Sequence, residues 1–193
     1  MLSAGAPARA DLIINSFEPT GTPYTAWTSP PTTCARSLTC GATGPCVTLF
    51  RDTTIGQEGT ASGVVWLQED LVFDPNTDCV SNLCDGLHPV TIQTFAPKDW
   101  STGYLKVVVS GSLPKPGVSV DMGLRVKDTD GHTAYGPLVT LSTAGSWVDA
   151  PAVLGDLASQ GLTLSKIDQV AVIFSSVSAC TSVLIDSLRL TVG

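Results

Sequence analysis

Seventeen carboxylates, ten cations, two histidines and six cysteines are the groups with which this chain could do chemistry. Their spacing excludes the common local signatures. No GxSxG nucleophile elbow, phosphate-cradling P-loop, HExxH metal helix or GxGxxG dinucleotide turn occurs. His88 and His132 lie far apart and lack the short spacing of common zinc sites. Paired glycosidase carboxylates obey no spacing rule, so the acids leave that chemistry open. The segment KDTDGH, residues 127–132, has the Asp-x-Asp-Gly look of a calcium loop. It lacks the third acid and the distant Glu of an EF-hand, and a hairpin turn at Asp130-Gly131 explains it as well.

The cysteines stand at Cys34, Cys40, Cys46, Cys79, Cys84 and Cys180, with no CxxC pair among them. An even number in a loop-rich chain points to disulfides and an oxidising, extracellular compartment rather than to zinc. Cys79 and Cys84 flank one tight loop and are the first pair to join, and Cys180 is expected to tie to the 34–46 loop. The net charge of −7, with cations scattered singly, argues against a polyanion partner and sets aside nucleic acid and anionic membranes. No apolar run approaches the roughly 18 residues needed to cross a bilayer.

The elements that must position these groups read as strands. LIINSFE (12–18), CVTLFRD (46–52), SGVVWLQ (62–68), PVTIQTF (89–95), YLKVVVSG (104–111) and VSVDMGLRVKD (118–128) follow one another. PLVTL (137–141), SWVDAPAV (146–153), DQVAVIFSS (168–176) and SVLIDSLRLTV (182–192) complete the series. Turn signals separate them at Thr102-Gly103, Pro116-Gly117, Asp130-Gly131 and Ala144-Gly145. Met122, Leu124 and Val126 alternate with Gly123, Arg125 and Lys127, which predicts one packed and one wet face. Only residues 154–167 look helical, for a turn or two. The expectation is an all-β, antiparallel two-sheet β-sandwich with disulfide-stapled loops. Residues 1–10 read as a linker and 11–193 as a single domain, one large enough to bury its own core.

The last strand carries a local conflict. Strict alternation sets Asp186 on one face with Leu184, Leu188 and Leu190, and an ionised carboxylate is costly to bury unpaired. A bulge, a salt bridge to an Arg, or a hard cation would each relieve it. The opening IINSFE followed by Trp27, and the ending VLIDSLRL, resemble the first and last strands of calcium-containing jelly-roll carbohydrate-binding modules. DWSTGYLKVVVSG, GLRVKDTDGHTAYGP and GSWVDAPAVLGDLASQGLTLSKIDQVAVIF resemble the middle of such modules, in the same order. The loop from Thr28 to Cys46 and the insertion around Cys79–Cys84 depart from their compact pattern.

That resemblance implies a structural Ca²⁺ held by Glu18 and Asp186 together with backbone carbonyls. It also implies a polysaccharide ligand, bound by exposed aromatic rings and planar polar side chains. The candidates are Trp100 in a polar loop, Tyr135 and His132 near the Asp-Gly turn, and Trp66 on a strand with mixed faces. Arg125 and Gln93, on the polar faces of central strands, complete the set. Trp147 and Tyr104 read as packing. The implied protein is a monomeric, non-catalytic accessory to a larger secreted carbohydrate-active enzyme. Two other readings stay open: a jelly-roll polysaccharide lyase or glycosidase, with Arg125, His132 and Tyr135 as its reacting groups, and an extracellular adhesion or matrix module.

Overall fold

The computed structural model describes residues 10–18, 47–52, 55–57, 59, 61–67, 88–175 and 181–193. All six cysteines, and with them the expected disulfides, lie outside the described residues, as do Trp27 and the departures at 28–46 and around 79–84. The strands are β1 (Leu12–Asn15), β2 (Val47–Asp52), β3 (Ser62–Leu67), β4 (His88–Lys98), β5 (Lys106–Ser112) and β6 (Val120–Asp128). They continue as β7 (Thr133–Tyr135), β8 (Val139–Leu141), β9 (Val148–Val153), β10 (Ile167–Ser175) and β11 (Thr181–Thr191). One short helix, α1 (Leu154–Ser159), and a single 3₁₀ turn (Leu164–Lys166) fill the stretch read as weakly helical. Strand β7, only three residues long, is too short for alternation to reveal it.

These strands form two antiparallel sheets. The six-stranded sheet runs β2-β3-β11-β5-β9, with β1 also on β11, and the five-stranded sheet runs β4-β10-β6-β7, with β8 also on β6. The inward faces of β6 and β10 are those the sequence implies, although the alternate residues Ala171 and Ile173 of β10 are buried too and leave that stretch no wet face. Val170 pairs with Val126, Val172 with Leu124 and Phe174 with Met122, and all six are buried. They meet Val107 and Val109 of β5, Ala150 and Ala152 of β9, and Ile185, Leu188 and Leu190 of β11 in one core. Burying each large apolar side chain stabilises by roughly 1.5–3 kcal/mol. At Gly111 the sheets come so close that a Cβ would run into Met122. Any larger residue there would force the end of the Met122 side chain to move.

β1 and β11, the first and last strands, are antiparallel neighbours, with Leu12 opposite Leu190. The Val192 N–H donates to Asp11 Oδ1 at 3.0 Å, closing the end of that pair.

Of the register shifts, which also include one in β1 at Ile13–Asn15 and one in β10 at Ile167–Gln169, two move residues that matter for the site. On β11 the register against β5 shifts between Asp186 and Arg189, and Ser187 between them takes φ 52°. Leu188 and Leu190 therefore join the core while Asp186 stays opposite Ser110 on the outer side of the sheet. The expectation of one face shared by Asp186 and three leucines is corrected by this extra residue. On β4 the register against β10 shifts at Ile92–Gln93, so Gln93 sits opposite the core residue Val170.

Candidate functional site

The outer face of the five-stranded sheet carries two rows of side chains set by the β6 register. Arg125 lies between Ala171 of β10 and Tyr135 of β7, and Ala171 in turn pairs with Thr91 of β4. Lys127 lies between Gln169 and Thr133, and Gln169 pairs with Thr94. Arg125 donates from Nη2 to Gln169 Oε1 at 3.1 Å, while its Nε is buried without a hydrogen-bond partner. Both cations are half-buried. Such a surface offers a forked donor from Arg125 and a single donor from Lys127, with the outer side of Gly123 covered by Pro137 and Leu138. Gln169 and Lys127 escaped selection from the sequence. Alternation puts each on the wet face of its strand, but which strands lie side by side is not written in either.

The other candidates separate. Trp100 is fully buried, its ring centroid 6.0 Å from that of Phe95, and its backbone N–H donates to Leu164 O at 2.8 Å. Its expected place on the surface is corrected. Asp99 Oδ1 accepts both the N–H (2.8 Å) and the hydroxyl (2.6 Å) of Ser101, and this tight turn keeps the polar pair outside while rotating the indole inward. The Ser101 hydroxyl and N–H hold the Asp99 carboxyl below its ordinary range. Gln93 is 5% exposed and accepts from Asn15 Nδ2 at 2.8 Å, so the β4 bulge makes it a buried pin to β1 instead of a member of the wet face. Strand β3 holds Trp66, whose side chain lies outside the described residues. Tyr104 packs half-buried on the core and Trp147 is half-buried.

Tyr135 is half-buried on β7, where Gln160 at the end of α1 bonds both its backbone groups: the N–H to Oε1 and the carbonyl from Nε2, each at 2.9 Å. The glutamine amide takes the place of one more strand residue on this edge.

His132 belongs to the 128–133 turn. Asp128, fully buried, accepts at Oδ1 from the N–H groups of Asp130 and His132, both at 3.0 Å. Its Oδ2 accepts from the Thr163 N–H at 2.9 Å and meets His132 Nδ1 at 3.0 Å. Burial alone would raise this carboxyl's pKa, but the Thr163 N–H, the His132 ring and the His132 N–H outweigh it and hold the group well below the usual carboxylate range. Asp128, Asp130 and His132 have ligand atoms close enough to share a metal ion. Asp128, though, already spends its oxygens on four donors, and Asp130 pairs with Lys166 at 3.0 Å. The arrangement is that of a braced hairpin turn.

Glu18 and Asp186 both accept backbone N–H groups from the segment that carries Gln57 and Ala61. Asp186, fully buried, accepts from Gln57 N–H at 2.7 Å on Oδ2 and from Ser187 N–H at 2.6 Å on Oδ1. Glu18 Oε1 accepts from Ala61 N–H at 2.8 Å. Left-handed residues stand beside both acids, Phe17 at φ 56° and Ser187 at φ 52°. Gly59, at φ +91°, lies so near that a Cβ would fall on the Glu18 carboxylate. Asp186 stands at the bulge in the middle of β11 and Glu18 three residues beyond β1, each holding a backbone N–H of the segment that bears Gly59.

No family model matches the chain, and no curated protein matches it. Among solved structures it is similar to the family 11 carbohydrate-binding module of Clostridium thermocellum, solved with a beta-1,3-1,4-mixed-linked tetrasaccharide. The TM-score is 0.57 at 13% identity, over 94% of this chain and 95% of that one. It is also similar to a family 30 carbohydrate-binding module of a cellulosomal cellulase of the same organism, with TM-score 0.53 and 17% identity over 94% and 96% of the two chains. An exo-beta-agarase matches over 75% of this chain and only 22% of its own length, with TM-score 0.51 and 16% identity. At these identities the likeness is one of fold, and the chain has the two-sheet β-sandwich fold of carbohydrate-binding modules.

Proposed function

We propose that the protein is a non-catalytic carbohydrate-binding module that holds a polysaccharide on the outer face of its five-stranded sheet. The observation that carries this reading is the cluster Tyr135, Arg125 and Gln169, in which an aromatic edge residue, its cross-strand guanidinium and the amide that guanidinium bonds share the outer face of one sheet, each half-buried. The fold supports it: the family 11 module, similar over nearly its whole length, was solved holding a tetrasaccharide. The module serves as an accessory domain of a secreted carbohydrate-active enzyme, with its cysteines paired. Glu18 and Asp186 would hold a structural Ca²⁺, which would fix the 55–61 loop on the sandwich edge and take no part in ligand contact.

Affinity electrophoresis of the full chain against a panel of soluble plant, algal and microbial polysaccharides tests this. Retardation by one glycan class, with no rise in reducing ends, is the expected result. Retardation by none would remove the carbohydrate reading and favour adhesion. New reducing ends, or unsaturated ends absorbing in the ultraviolet, would reveal an enzyme.

A further inference from the structure

The cations of this acidic chain are not all treated alike by the fold. Arg189 pairs with Asp149 at 2.7 Å and Lys166 with Asp130 at 3.0 Å. Arg125 and Lys127, two residues apart on the same face of the central strand β6, have no carboxylate in ion-pair reach among the described residues. Their cross-strand neighbours are Ala171, Tyr135, Gln169 and Thr133, all neutral, and beyond these lie Thr91 and Thr94. Asp121, the other charged residue on the outer side of β6, sits at its far end and accepts from Thr140 Oγ1 at 2.6 Å. Asp168, in the bulge before Gln169, forms no ion pair with either cation, and its Oδ1 has no partner.

A guanidinium with one neutral partner and an orphaned Nε keeps a charge that no carboxylate among the described residues neutralises. Spacing along a strand sets the two residues about 7 Å apart, near enough for one bound chain to meet both side chains. Arg supplies a fork matched to a planar carboxylate and Lys a point charge beside it. Stacking has less to offer here. Tyr135 is the described aromatic residue on these two rows, since Trp100 is in the core.

Resting on the carbohydrate-binding reading, we infer that the ligand is an anionic glycan, whose carboxylate or sulfate groups are met by Arg125 and Lys127. The acidity of the whole chain does not forbid this. Close charge pairs act across a few ångströms, whereas the remaining net charge is screened beyond about 8–10 Å at ordinary salt.

The test is affinity electrophoresis and titration calorimetry of the full chain with polygalacturonate, a sulfated galactan and a neutral mixed-linkage β-glucan. The variants are Arg125→Gln, Arg125→Lys, Lys127→Gln and, as a surface control, Lys115→Gln. Wild type is expected to bind an anionic polymer and not the neutral one. Preference for polygalacturonate assigns the carboxylate, and preference for the galactan assigns the sulfate ester. Arg125→Gln and Lys127→Gln should each weaken binding about tenfold, one charge-assisted contact apiece, with Lys115→Gln unchanged. Arg125→Lys should recover only part, because the fork is lost. Thermal melts identify any variant that fails to fold, and Lys127→Gln alone then decides. Binding of the neutral glucan only, or anionic binding indifferent to both substitutions, overturns this inference while leaving carbohydrate binding intact. Binding to no polymer overturns both.

Discussion

Asp128 is the carboxylate around which the 128–133 turn is built, and its four contacts also fasten that turn to the segment at Thr163. Because its pKa is depressed in the folded chain, the unfolded chain binds its proton more readily. The stabilisation is therefore complete above the ordinary carboxylate value of about 4 and is lost as pH falls through the depressed one. Asp128→Asn should lower stability most above about pH 4, with the gap to wild type closing in acid. Urea unfolding at several pH values measures this, and a gap independent of pH would show that the carboxylate charge is not what matters. Such a residue looks like chemistry in the sequence. Asp-x-Asp-Gly-His suits a metal loop and a hairpin equally, and what separates them is Thr163, thirty-five positions away. Trp100 misled for a related reason: its polar neighbours are a true sign of a surface turn, but a turn sends alternate side chains opposite ways.

Among the elements, strands without bulges were legible and strands with them were not. β6 alternates without interruption over its central residues, so its inner and outer faces, Arg125 included, could be read directly, whereas β10 is buried on both faces from Val170 to Phe174. The added residues in β4 and β11 leave no mark on composition. Each swaps the two faces for the remainder of its strand, leaving Gln93 inward and Asp186 outward. The 55–61 loop depends on the second reversal, since it packs on Asp186 and Glu18 at once. If that loop is a calcium seat, chelation should lower the midpoint of thermal unfolding and added Ca²⁺ restore it. Glu18→Gln and Asp186→Asn should each abolish the Ca²⁺ response. A melt identical in chelator and in calcium would leave the backbone hydrogen bonds as the whole reason for the two acids.

For the whole molecule the two-sheet architecture was accessible from strand count and turn spacing, while the assignment of strands to sheets was not. β11 lies between β3 and β5, and β10 between β4 and β6, pairings between segments remote in the chain. The neighbourhood of β1 and β11 puts Asp11 beside Val192. A permuted chain joining Gly193 to Ala10 through a short Gly-Ser linker, and opened at the exposed Lys115–Pro116 turn, should keep its fold. Circular dichroism melts should agree with wild type within about 5 °C. A permutant without a cooperative transition would show that the order of strand addition matters beyond the final contacts.

The same strand pair sets the response of the domain to tension. Chain on either side of it departs from one end, so a pull on both ends loads the Asp11–Val192 contact first, then Leu12–Leu190, then each hydrogen bond in turn. Bonds loaded one after another open like a zip at low force, whereas bonds loaded together in shear resist as a group. Pulled between two neighbours joined to its two ends, this domain would yield first where β1 lies on β11, lengthening the tether before the rest of the sandwich is strained.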